Sequence, residues 1–194
     1  MRRQQIVEAA LNLFAQHGFA GTSTKRIAQE VGVTEGLIFH YFPTKVALLH
    51  EVARQRSTFT GEVRELLAAA GERPAREVLQ GIVIGWIEVM QRQADLVTML
   101  LTESQTNEDV GEAFRGVITA TVGAMTEYLE SRVRAGELRQ DLQVRASAMM
   151  FFSSLMFFFL SNRDRVADDW RERATVFTRE MLDTWFKGAL PNGD

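Results

Sequence analysis

One glycine between two short apolar patterns constrains this chain more than any other feature. In the stretch TSTKRIAQEVGVTEGLIFHYFPTK, residues 22–45, Ile27, Ala28 and Val31 recur at helical spacing and stop at Gly32. Glycine adopts the left-handed conformation of a helix C-cap without the steric cost that other residues meet. Ser23 or Thr24 can cap the helix before it, and Thr34 can cap the helix after it, because a hydroxyl accepts from the amides that a helix start leaves unpaired. Leu37, Ile38 and Phe42 are the apolar positions of that second helix. Pro43 ends it and Thr44-Lys45 opens another. Two short helices around one glycine form an angled pair whose second member presents its first turn outward. This is the layout of a helix-turn-helix reader of DNA.

The chemistry of that first turn suits base edges. Thr34 can hydrogen-bond several bases or touch a thymine methyl, Glu35 can accept from a cytosine amino group, and Gly36 lets backbone approach closely; Leu37 completes the turn. Thr24, His40, Tyr41 and Lys45 carry donors suited to phosphate oxygens, which fix register without reading sequence. The bland alternative is a helical corner in an all-α protein. Glu35 favours that alternative, since an anion in the groove costs affinity; it must specify cytosine or turn away.

The wider run IVEAALNLFAQHGFAGTSTKRIAQEVGVTEGLIFHYFPTKVALL, residues 6–49, resembles the DNA-binding domain of the TetR family of bacterial transcriptional regulators. Leu13-Phe14, Gly18-Phe19, Ile27-Ala28, Gly32-Val33, Tyr41-Phe42 and Lys45 stand at the family's spacing. The resemblance implies a recognition helix near residues 34–40, backbone contacts from Thr24, His40, Tyr41 and Lys45, and repression as the expected activity. It covers the first quarter of the chain. Beyond it only length and helical pattern agree.

Net charge must be divided to be informative. The 194 residues sum to −3, but residues 1–56 hold seven Lys/Arg against four Glu, a net +3, which leaves −6 for the rest. A modestly basic end on an acidic body fits a DNA-reading head that gains affinity by pairing, two reading helices one DNA turn apart. Arg2 and Arg3 could form an N-terminal arm toward the backbone or minor groove. The absence of cysteine excludes disulfides, thiolate metal sites and thiol catalysis. Met1-Arg2-Arg3 leads directly into an amphipathic helix, with no signal pattern, so a cytoplasmic location is expected. Only Pro43, Pro74 and Pro191 interrupt an Ala-, Leu-, Glu- and Arg-rich chain, as in an all-α protein. We expect about nine helices: a three-helix DNA-binding domain over residues 1–46 and a helical bundle for ligand binding and dimerisation over residues 47–190.

In that bundle one helix is expected over residues 46–71, broken off by Gly71-Glu72-Arg73-Pro74. Further helices follow near 75–92, 95–103, 110–135, 146–160 and 170–185, with Gly111, Gly116 and Gly123 weakening the third of these or leaving room for a ligand. Residues 146–160 are apolar on nearly every side yet too short for a bilayer, which needs about 20 residues, so no membrane partner is expected. Such a helix must be covered by the chain's own core, a ligand or a second subunit. Phe157 on it, and Trp170, Phe177, Met181 and Trp185 on the last helix, are the expected interface stripe; the TetR resemblance assigns both helices to the four-helix bundle of a homodimer. Trp86, Met90, Met99, Phe114, Ile118, Met125, Met149, Phe152 and Met156 can line an effector pocket, since methionine adapts its shape and aromatics supply contact area. Each can equally be plain core. No convergent charged set stands among them, which points to a small, mostly apolar effector.

An enzyme is the rival class. The three histidines, His17, His40 and His50, all fall in the first fifty residues, and no Ser/His/Asp set, paired carboxylates, phosphate loop or metal-ligand spacing accompanies them. No cofactor and no metal are expected. A purely structural helical dimer would leave residues 22–45 without a purpose. A regulator that acts without ligand, or that activates, stays open beside the effector-released repressor.

Overall fold

The computed structural model describes residues 1–56, 58–162 and 167–190. Among the described residues there are ten helices and no strand: α1 (Arg2–His17), α2 (Thr24–Val31), α3 (Glu35–Tyr41), α4 (Lys45–Arg56), α5 (Thr58–Ala68), α6 (Ala75–Arg92), α7 (Ala94–Glu103), α8 (Glu108–Arg134), α9 (Val144–Asn162) and α10 (Ala167–Ala189). The extra helix arises where one was expected over residues 46–71. That stretch is α4 and α5, on either side of Ser57, which lies outside the described residues. α5 ends in a tighter turn, Ala70 N–H donating to the Leu67 carbonyl, before Gly71 takes φ 53°.

The chain forms two compact units. The first comprises Met1–Thr58 and Gln93–Ile118, the second Phe59–Arg92 and Thr119–Asp194. Compactness thus groups α4, α7 and the start of α8 with the first three helices. The reason lies in the core. Ile6, Ala10 and Phe14 of α1, Ile27 of α2, Ile38 of α3 and Leu48, Leu49 and Val52 of α4 are fully buried, and Leu96, Met99, Leu100, Val110 and Ala113 complete the same cluster. Each large apolar side chain buried there contributes about 1.5–3 kcal/mol. Phe14 and Phe19, with ring centroids 5.3 Å apart, close its end beneath the α1–α2 loop.

In the second unit α6 buries Val78, Leu79, Ile82, Val83, Trp86, Val89 and Met90. Trp86 meets the edge of Phe159 of α9 at 6.3 Å. A buried hydroxyl pair, Thr60 and Thr121 at 2.6 Å, joins α5 to α8. The Glu137 carboxylate accepts from the Ala75 amide at 2.5 Å and so caps the start of α6. The glycines expected to weaken α8 do not interrupt it. Gly111 instead permits close packing, because a Cβ there would lie 3.3 Å from the Ser104 carbonyl oxygen. Gly123 lines a 570 Å³ cavity between α5 and α8.

α9 is nineteen residues long, more than the span 146–160 read from sequence, and by length and composition alone it is long and apolar enough to cross a membrane. In this fold its apolar surface is divided. Ala148, Phe151, Leu155, Phe158 and Phe159 are buried, whereas Met150 and Phe157 are 67% and 72% exposed. On α10 the buried stripe is Ala174, Thr178, Leu182 and Phe186, at the four-residue spacing of one helix face. Phe177, Met181 and Trp185, half-buried, form the neighbouring stripe.

Candidate DNA-binding face

The turn between α2 and α3 is built as its residue types dictate. Ser23 is the cap of α2, its hydroxyl accepting from the Arg26 amide at 3.2 Å. Gly32 stands at φ 69°, ψ 41°, and the Val33 amide reaches back to the Ala28 carbonyl at 2.9 Å, closing α2 as a left-handed cap does. Thr34 caps α3 through the Leu37 amide at 3.3 Å. Ile38, fully buried, roots the helix in the core. Thr34, Gly36, Phe39, His40 and Tyr41 stand exposed; Leu37 is half-buried.

The polar side chains divide into two groups. Thr34 and His40 are exposed and free to meet a partner at the surface, His40 packing edge-on against the Tyr41 ring at 5.3 Å. Thr24 and Glu35 instead engage each other: the Thr24 hydroxyl donates to the Glu35 carboxylate at 2.5 Å. This contact ties α2 to α3 and turns the Glu35 carboxylate toward α2. Nothing crowds Gly36, where an added Cβ would come no closer than 4.0 Å to Thr34 Oγ1.

Lys45 is turned inward. Its Nζ donates to the Phe19 carbonyl at 2.8 Å and the Thr22 carbonyl at 3.0 Å, and lies 4.2 Å from the Phe19 ring centroid. Burial pulls its ammonium below the ordinary lysine range, and the nearby Glu103 carboxylate opposes that shift. As placed, Lys45 ties the first residue of α4 to the α1–α2 loop. Arg2 and Arg3 form no free arm, since α1 begins at Arg2. Arg3 pairs with Glu51 at 2.9 Å and lies over the Phe42 ring at 5.1 Å. His50 is half-buried with Nε2 enclosed and unpartnered.

Phe39, 44% exposed, is the surface residue that the sequence reading passed over. Its signal was available. On a helix rooted by Ile38, positions 36 and 40 lie on the opposite face and position 39 stands beside them.

The residues expected to line an effector pocket fall in both compact units. Met99 is buried in the core of the first unit and Phe114 packs against that core, because α7 folds onto α1 and Val110 and Ala113 of α8 join the same cluster. Ile118 and Met149 are exposed at 39% and 46%. Trp86, Met90 and Met125 are buried in the second unit, and Phe152 and Met156 of that unit are half-buried. None of these nine lines the described cavities of the second unit. A 670 Å³ cavity between α6 and α10 is lined by Ile84, Ile87 and Leu182 with Arg76 and Arg179. A 580 Å³ cavity lies on α9 and α10, lined by Met150, Phe177, Met181 and Trp185. Of the expected interface residues, Phe157 is exposed and Trp170 is buried, its ring 4.9 Å from that of Phe158. Among the described residues no group of His, Cys, Asp or Glu is arranged to hold a metal ion.

A short capped helix held outward over a buried apolar root defines a helix-turn-helix DNA-binding protein. Family models match both parts of the chain: that of the bacterial regulatory proteins, tetR family, over residues 6–52, and that of the tetracyclin repressor-like C-terminal domain over residues 76–176. The chain belongs to the tetR family of transcriptional regulators. It is 41% identical to the HTH-type transcriptional repressor AcnR of Corynebacterium diphtheriae over 146 residues, which are 74% of this chain and 72% of that one. To the probable acrEF/envCD operon repressor of Escherichia coli K12 it is 29% identical over 136 residues, 69% of this chain; it spans 61% of that relative's length. The crystal structure of the transcriptional regulator FadR from Bacillus subtilis, in complex with stearoyl-CoA, shares the fold with a TM-score of 0.75 at 19% identity, covering 94% of this chain and 96% of that one.

Proposed function

We propose that this regulator is a repressor that binds a palindromic operator as a homodimer and leaves it when a small, mostly apolar effector binds. The observation that carries the DNA part is α3 itself: anchored by Ile38, capped by Thr34, and open on the face that holds Gly36, Phe39 and His40. Residues 1–46 read the operator, and residues 47–190 bind ligand and dimerise. Thr34, Gly36, Leu37 and Phe39 contribute base contacts, with phosphate contacts from His40 and Tyr41. Thr24 and Glu35 act by fixing the angle between α2 and α3.

Pairing rests on the exposed side of α9 and α10. Met150 and Phe157 stand open to solvent beside the half-buried Phe177, Met181 and Trp185. Uncovered apolar surface of this kind marks an association site, and a second copy covers it by offering the same stripe. The effector reading draws on the neighbour whose structure holds stearoyl-CoA. Trp86, Met90, Met125, Phe152 and Met156, all of the second unit, are its expected contacts. Effector and operator favour different arrangements of the paired heads, so each weakens the other. A regulator without cofactor, working in the cytoplasm, is part of the same reading.

The test is binding to the promoter region of the protein's own gene as salt is varied. A specific complex whose affinity falls steeply with salt is expected. No specific complex, or a flat salt dependence, contradicts the proposal. Mass spectrometry of the purified protein is expected to find a retained apolar molecule; ligand-free protein whose DNA binding ignores apolar additives favours a ligand-independent regulator.

A further inference from the structure

A carboxylate at the end of α7 sits where helix physics disfavours it. Glu103 is the last residue of α7, and a negative charge there faces the negative end of the helix dipole. What compensates it lies 84 and 83 positions away in sequence: its Oε1 accepts from the Phe19 amide at 2.9 Å and its Oε2 from the Ala20 amide at 3.3 Å. Hydrogen bonds to an ionised group are the stronger kind. The loop is shaped to receive it. Gly18 stands at φ 75°, and a Cβ there would collide with Glu103 Oε1.

The same loop is held from its other side. Lys45 donates to the carbonyls of Phe19 and Thr22, and the Thr22 hydroxyl donates to the carbonyls of Leu13 and Gly18. Lys45 is the first residue of α4 and follows α3 after three residues, 42–44. Glu103 is fixed in turn by the turn that leads into α8: its carbonyl accepts from the amides of Thr106 and Asn107, and Gly111 brings α8 against Ser104. α8 runs unbroken from Glu108 to Arg134, with residues in both compact units.

We propose that Glu103 is a positioning residue for operator binding: by clamping the Phe19 and Ala20 amides it sets the α1–α2 loop and, through Lys45, the entry of α4 directly behind α3. It touches no DNA. The inference rests on the operator-binding reading.

The test compares wild type, Glu103→Ala, Glu103→Gln and the double variant Glu103→Ala/Lys45→Met in the full chain. Amide hydrogen exchange at Phe19 and Ala20 reads the clamp without any DNA. Exchange about ten- to hundredfold faster is expected in Glu103→Ala. Glu103→Gln, which keeps one acceptor oxygen, should restore part of the protection. Promoter affinity, measured well below the melting temperature, should fall about tenfold on every sequence with the salt dependence unchanged, since no phosphate contact is removed. The double variant should lose less than the sum of its parts, as residues acting on one loop do. Wild-type exchange rates in Glu103→Ala overturn the clamp. Faster exchange with unchanged DNA affinity overturns the positioning role, as does a loss of affinity that tracks only the fraction unfolded. A wild-type protein that binds no DNA overturns the operator reading and the positioning role with it, while the exchange rates still judge the clamp.

Discussion

At the scale of single residues, local chemistry sets the caps and turns of α2 and α3, and packing sets where their polar side chains point. Thr34 as a cap and Gly32 as a left-handed turn follow from residue type, because both roles are set by local backbone chemistry. Partners across space do not follow. The carboxylate of Glu35 faces Thr24 and the ammonium of Lys45 faces two carbonyls, and each needs a third element in place before its direction is fixed. Lys45→Met is therefore expected to weaken promoter binding alike on all sequences and to lower thermal stability. The slope of log affinity against log salt should change by much less than the roughly 0.9 that one lost phosphate contact removes. A drop of that size in a salt titration would show that Lys45 swings out to the DNA.

At the scale of elements, periodicity located helices well where caps or glycines punctuate them. α6, α7 and α8 end within a residue or two of the expected positions, since Pro74 precedes one and Gly136, at φ 75°, ends another. The segment 46–71 was read as one helix because its apolar spacing carries through without proline. Residues 146–160 fixed the apolar character of α9 but not which side stays open, because a helix apolar all round carries almost no directional signal. The turn between α2 and α3 gives a direct test at this scale. Gly32→Ala forces an L-residue into the left-handed region and should cost about 1–2 kcal/mol. Thermal unfolding measures it; an unchanged melting temperature would mean that the turn is not held as described.

At the scale of the whole molecule, the account requires two copies. One reading head with a modest basic excess supplies few phosphate contacts, and the open stripe of α9 and α10 offers the means of pairing. Phe157→Glu places a charge on that open side, at a residue 72% exposed. Sedimentation should find the parent a dimer and the variant a folded monomer. A dimer that survives the substitution would move the interface elsewhere. Where Met99 and Phe114 pack is also a whole-molecule matter. Met99 and Phe114 have the composition of pocket residues, yet they complete the core of the reading head, and only the path of α7 and α8 decides that.

The central claim, a pair of reading helices on one operator, is met most directly by a hydroxyl-radical footprint of the promoter fragment. Two protected half-sites on one face of the DNA are expected, one helical turn apart or a multiple of it and related by a two-fold axis. Both should vanish together in the Phe157→Glu variant at concentrations that saturate the parent. A single protected patch, or protection that persists unchanged in the monomer, would contradict the account.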